Sequence, residues 1–287
     1  MQNTSAIASS LDSLSSGQTP RAAESPADAL RWLKPVTALI VLGGALITFG
    51  IIWDISWHAT IGRDTFWTAA HIMIYAGGAT AGCLAGWLAI CATFLHRESF
   101  RHISVQLWGA RAPMGAWVTI WGAAAMLTSA PLDDWWHNAY GLDVKILSPP
   151  HALLAAGMYG VVTGGYLLAS ARRNRLAAAG ASSEGSTLAV LANGIQLALS
   201  SILLTELSFP NFQHSSTFVL ASAAMYPGFL VAAARHSPCK WAATKMSLVY
   251  MGVICVMVWI LPLFPGEPKL APIYNPRTTM APPAFPH

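Results

Sequence analysis

Seven apolar runs, each close to the length that crosses a bilayer, leave this chain little choice of fold. They cover approximately residues 36–57, 66–95, 113–131, 150–171, 187–208, 215–234 and 243–264. About 20 apolar residues in a helix cross the hydrocarbon core, where a helix satisfies its own backbone groups. The runs therefore predict an all-α membrane protein, a polytopic bundle of about seven transmembrane helices. The second run is long enough to tilt or to begin above the membrane plane. Only 10% of the residues are charged. Soluble domains carry about 25%, so these charges are too few to cover a water-facing surface of this size. The 12 Trp suit a chain with two membrane interfaces. The lipid bilayer is the expected partner. No basic stripe interleaved with aromatics points to nucleic acid.

Charge sets the orientation. Of the 16 Lys and Arg, 4 (Arg63, Lys145, Lys269 and Arg277) fall on one set of connecting segments and the other 12 on the opposite set. The two sets alternate across all seven runs. The positive-inside rule then places a multi-pass chain in the inner (cytoplasmic) membrane, N-terminus in the cytoplasm and C-terminus outside. Residues 1–33 are rich in Ser, Ala, Gln and Pro and read as a disordered cytoplasmic tail. Residues 34–264 hold the transmembrane domain, and 265–287 form a Pro-rich extracytoplasmic tail. The 4 Cys form no C-x-x-C pair, so neither a disulfide framework nor a thiolate metal site is expected.

The outer ends of runs one and three repeat each other. The first reads WDISWHATIGRDTFWTAAH over residues 53–71, the second LDDWWHNAYGLDVKILSPPH over 132–151. With His58 aligned on His137, Asp54 falls on Asp133, Trp57 on Trp136, Gly62 on Gly141 and Asp64 on Asp143. His71 pairs with His151 after one inserted residue. Each copy joins an outward helix to a returning one. The units, about 36–95 and 113–171, form a parallel two-helix repeat about an axis along the membrane normal. Glu206 and His214 mark a looser, degraded third match.

These residue types point to a metal. Asp54 and His58, like Asp133 and His137, are four apart and share a face if the helix continues that far. His71 and His151 return on the next helix. One carboxylate and two imidazoles give three protein ligands with positions left open, a set that suits copper, zinc or non-haem iron. Carboxylates and imidazoles are costly in a membrane and by default mark function. The bland alternative is a set of capping or interfacial side chains, with Arg63 as the partner of Asp54. Asp64 and Asp143 precede returning helices. They either cap them or bond a ligating His from behind.

The spacings resemble those of the C subunit of the copper membrane monooxygenases, the particulate methane and ammonia monooxygenase family. That family carries Asp-x-x-x-His with a His 13 residues on, then Asn-x-x-x-His with a His 14 on. Here Asp54, His58 and His71 match the first motif, and Asp133, His137 and His151 match the second except that Asp133 replaces Asn. The resemblance covers roughly residues 50–155. It implies two adjacent metal sites with copper as occupant, partner membrane subunits or a homo-oligomer, and oxidation of small apolar substrates or ammonia. A copper or zinc handling or transport protein, or a non-catalytic scaffold subunit, is the alternative. Whether the chain is itself catalytic is left open by its sequence.

Overall fold

In the computed structural model, residues 26–60, 66–95, 100–140, 148–181, 186–206, 215–237 and 239–263 are described. Seven α-helices lie among them. They are α1 (Pro26–Thr60), α2 (Ala69–Ile90, continued by a π turn Cys91–Leu95), α3 (Met114–Tyr140), α4 (Pro149–Ala178), α5 (Ser186–Glu206), α6 (Ser216–His236) and α7 (Ala242–Ile260). Each coincides with one of the seven apolar runs. Six are long and apolar enough to cross a membrane, which makes this a multi-pass helical membrane protein. Only α3 is not among the six. Its 27 residues include four Trp, two Asp and a Pro, which dilute its apolar character. Helix α1 starts at Pro26, inside the segment expected to be tail, where a proline suits a first helical turn.

Helices α1 to α4 close into a ring, in which α1 packs on α2, α2 on α3, α3 on α4 and α4 on α1. Within each hairpin the crossing is made by glycines. A Cβ on Gly43 would stand 2.7 Å from the Gly77 carbonyl, and one on Gly122 would stand 2.7 Å from the Gly157 carbonyl. The reciprocal contacts also correspond, for a Cβ on Gly77 would meet Ile47 and one on Gly157 would meet Met126. Gly43 and Gly122 each precede the aligned His, His58 or His137, by 15 residues. Gly77 and Gly157 each follow His71 or His151 by 6. One glycine–glycine crossing in each hairpin therefore falls at equivalent positions.

The ring places the two kinds of polar residue at opposite ends. Gly44 lies on Val162, and Gly165 on Val41, so α1 and α4 run antiparallel. Followed ten residues outward, that register brings Asp54 level with residue 152. Gly78 lies on Met126, and following that register seven residues outward brings His71 level with Asp133. At the other end Arg172 Nε donates to the Leu30 carbonyl (3.2 Å) and Arg175 Nη2 to that of His102 (2.6 Å). Beside these arginines lies an antiparallel hairpin, β1 (Val105–Leu107) and β2 (Ala110–Ala112), which the all-α expectation missed. Its turn uses Trp108 and Gly109 at φ 48° and 84°, the positive-φ pair of a type I′ turn.

Burial grades across the molecule. In the most apolar window of α5, 72% of residues are buried, but only 6% in that of α6. Helix α6 is therefore a peripheral helix whose apolar side chains, Leu220 among them, face outward.

Two outcomes follow. In a Cys239→Ser background, cysteines at exposed His102 and Tyr140 should label from opposite sides of the membrane with an impermeant maleimide. Gly122→Val should lower thermal stability in detergent by about 1–3 kcal/mol, the cost of overpacking, whereas Gly252→Val, where a side chain meets open space, should leave it unchanged.

Candidate metal centre

Helix α1 runs on past Asp54 and His58 to Thr60, and α3 runs on past Asp133 and His137 to Tyr140. Each Asp-x-x-x-His pair thus lies on one continuous helix, four residues and about one turn apart. Helix α2 returns His71 in its first turn, and α4 returns His151 in its own.

The first cluster gathers around one carboxylate oxygen. His71 Nε2 lies 3.1 Å from Asp54 Oδ1, and His58 Nε2 lies 3.9 Å from the same atom. The Asp54 side chain is 14% exposed, His71 24% and His58 49%, so the carboxylate is the most enclosed member. Its Oδ1 is sealed from solvent and accepts no hydrogen bond from a described residue. A distance of 3.1 Å would suit a hydrogen bond from His71, but the alignment does not supply one. Two ligands of one cation, each about 2.0–2.2 Å from it, stand roughly 2.8–3.6 Å apart. Asp54 and His71 meet that spacing, and His58 stands slightly outside it. The His71 ring also lies 5.9 Å from that of Tyr75, which packs on Phe66 at 5.0 Å.

The second cluster repeats the first more loosely. His151 Nε2 lies 3.7 Å from Asp133 Oδ1, with the side chains 38% and 33% exposed. Its other ring nitrogen, Nδ1, lies 3.0 Å from Ser148 Oγ. Ser148 is the N-cap of α4, with Pro149 at the first helical position, and the same hydroxyl accepts from the His151 amide. Held at Nδ1, the imidazole turns Nε2 toward Asp133, the arrangement by which outer partners orient metal-ligating histidines. Sequence reasoning missed Ser148, although Ser-Pro-Pro-His is a plain helix-start signal.

Several expected members fall outside this picture. Gly62, Arg63, Asp64, Gly141, Asp143 and His214 lie outside the described residues, as do the side chains of His137 and Glu206. Among the described residues no group of three or more His, Cys, Asp or Glu is arranged to hold a metal ion. What the fold brings together are two Asp–His pairs, with His58 one turn from the first. Asp134, next to Asp133, is bonded by Asn138, whose Nδ2 donates to its backbone carbonyl at 2.9 Å.

No family model matches the chain, nor does any curated protein or solved structure.

Ser148→Ala removes both the cap and the contact to Nδ1. It should lower stability by about 1 kcal/mol, read from chemical denaturation in micelles, with a smaller loss for Ser148→Asn, which still caps.

Proposed function

We propose that the Asp/His end of the four-helix ring binds a transition metal, copper before zinc or non-haem iron. Asp54, His58 and His71 form one ligand set, and Asp133, His137 and His151 form its repeat. The observation that carries this reading is Asp54 Oδ1, sealed, accepting no hydrogen bond from a described residue, and faced by two imidazole nitrogens at 3.1 and 3.9 Å. A buried carboxylate in that state is costly, and a cation offsets the cost. Asp64 and Asp143 would then support the ligating histidines from the loops. The matching glycine crossings support the reading of the two hairpins as copies, because a chance match in the loops would not extend to the helix contacts below them.

On this reading α3 is the seventh span, seated between α2 and α4. The N-terminus is cytoplasmic, and the metal sites face the extracytoplasmic side of the inner membrane. The chain is then a membrane subunit resembling the C subunit of the copper membrane monooxygenases, working with other subunits or copies on small apolar substrates or ammonia. A bound copper ion would supply the oxygen and electron chemistry. The residues of this chain bind and orient it. Ser148 fixes the His151 ring, while Asp54 holds charge at the ligand cluster and the apolar helices exclude water from below.

A second reading, metal handling or transport, is favoured by one observation. A line of polar groups lies between α4 and α5. Ser200 Oγ donates to Tyr159 Oη at 3.2 Å, and Gln196 Nε2 donates to Thr163 Oγ1 at 3.0 Å. Gln196 Oε1 is buried without a hydrogen-bond partner among the described residues.

Elemental analysis of protein purified in mild detergent tests the first reading. Copper should co-purify, and His71→Ala should lower it at least about tenfold, while Ser148→Ala should weaken the second site by about the 10- to 100-fold typical of outer partners. Metal content unchanged by His71→Ala would overturn the site. Metal uptake into proteoliposomes that is lost in Gln196→Leu would favour transport.

A further inference from the structure

The β1–β2 hairpin sits where α2 ends and α3 begins. Gly82 lies on Ala123, and that register, followed eleven residues toward the basic end, brings Thr93 level with Ala112. Thr93, in the π turn that ends α2, clamps the edge of β2 that faces away from β1. Its Oγ1 accepts from the Arg111 amide at 2.8 Å and donates to the Arg111 carbonyl at 3.1 Å. On the other strand the Trp117 indole N–H donates to the Val105 carbonyl at 3.4 Å. Arg111 Nη2 donates across the pair to Gln106 Oε1 at 3.0 Å. Strand pairing, Thr93 and Trp117 therefore answer polar groups that water serves in an ordinary surface loop.

From this base the hairpin runs up α3. Val105 meets Trp117, and Trp108 stacks on Trp121 with ring centroids 5.6 Å apart. The contact moves four residues along α3 while the strand advances three, so the tip points toward the apolar middle of the bundle. Trp121 stands seven residues, about 10 Å, beyond the start of α3. The tip, residues 107–110, reads Leu-Trp-Gly-Ala and holds no charge. Trp108 is 84% exposed, and a Cβ on Gly109 would meet open space. Met114, two turns before Trp121 on the same face of α3, is exposed too, as is Phe94 beside Thr93. The tip is thus continuous with the exposed apolar surface of α2 and α3. Trp108 also takes a positive-φ turn position that Asn and Gly fill most easily. A bulky ring there is unfavourable for the backbone and has to gain from its surroundings.

We propose that the hairpin is embedded in the membrane leaflet at the basic end of the bundle. Trp108 and Trp121 form an aromatic wedge at the boundary of headgroups and acyl chains, the depth that indole rings favour. Arg111, nearer the base, stands at the level of the headgroups. Lipid tolerates strand backbone at such a depth only where its polar groups are answered by protein, which is what Thr93 and Trp117 do. The proposal rests on α3 spanning the membrane and is independent of any metal at the other end.

Spin labels read the depth. Trp108→Cys is labelled with a nitroxide in the full-length protein, its 4 native Cys replaced by Ala, in phosphatidylcholine vesicles. Collision with oxygen, which concentrates in lipid, is compared with collision with a water-soluble nickel chelate. Leu127→Cys, exposed in the middle of α3, and Lys240→Cys, in an exposed turn, serve as lipid and water references. The oxygen-to-nickel ratio at 108 should lie several-fold above that at 240 and close to that at 127. Ala110→Cys reads the same tip and stands in if Trp108→Cys does not fold. A ratio at the tip equal to that at 240, with 127 in lipid, would overturn the embedding and leave the hairpin a loop in water. Low collision with both agents would overturn lipid as the occupant, in favour of a protein partner or a second copy covering the tip. Free nickel access at 127 would overturn the span of α3, and the proposal with it.

Discussion

Helices in a bilayer are not pushed together by water, because lipid tails are as apolar as leucine, so close packing has to hold them. In this protein that packing rests on backbone meeting backbone at glycine. Gly43 against Gly77 and Gly122 against Gly157 let α1 reach α2, and α3 reach α4, without intervening side chains. A crossing of that kind fixes rotation as well as distance, since each of these glycines meets a particular backbone on the facing helix. With the rotation fixed, the residues further out have little choice of direction. Asp54 and His71 meet because Gly43 and Gly77 already have.

The same ring sorts charge. Every described carboxylate stands at one end, with the imidazoles of His58, His71 and His151. The arginines of α4 stand at the other, tied to the carbonyls of Leu30 and His102. Between them the interior is largely apolar, with buried Thr37, Thr48 and Thr119 in the ring and a polar line on α5, where Gln196 and Ser200 bond to α4. Such a division suits a membrane protein with separate tasks at its two faces. The enclosed carboxylate of Asp54 faces the imidazoles of His71 and His58, and the enclosed guanidinium of Arg173 donates to Asn174. Each is a charged group that the fold has largely removed from water.

The two ends also differ in how they are built. The Asp/His end belongs to the tightly packed ring, where side chains are held to one position. Arg173 instead lines a narrow crevice beside α6, which lipid surrounds on most sides. A site in the ring suits a small ion held by several ligands at once.

Much of this was legible in the sequence. Bilayer thickness dictates a run of about 20 apolar residues, so all seven helices could be placed from hydropathy alone. The alternation of Lys and Arg foretold that the basic loops would gather at one end. The Asp-His spacing foretold that Asp54 and His71 would approach, because residues four apart share a helix face and a short turn returns the next helix beside it. The β1–β2 hairpin was not foreseen, since three-residue strands leave little pattern. Nor was the part played by Ser148, whose cap signal was present but whose contact with the His151 ring depends on a rotamer. Only the tertiary structure paired the glycines, set α1 antiparallel to α4, and brought both Asp–His pairs to one level. It alone put Arg173 in a crevice rather than in water. Hydropathy and spacing act along one helix and are written locally. Which faces meet, and which charge is sealed, depends on packing between helices tens of residues apart and, for α1 against α4, more than a hundred, and no local pattern encodes that.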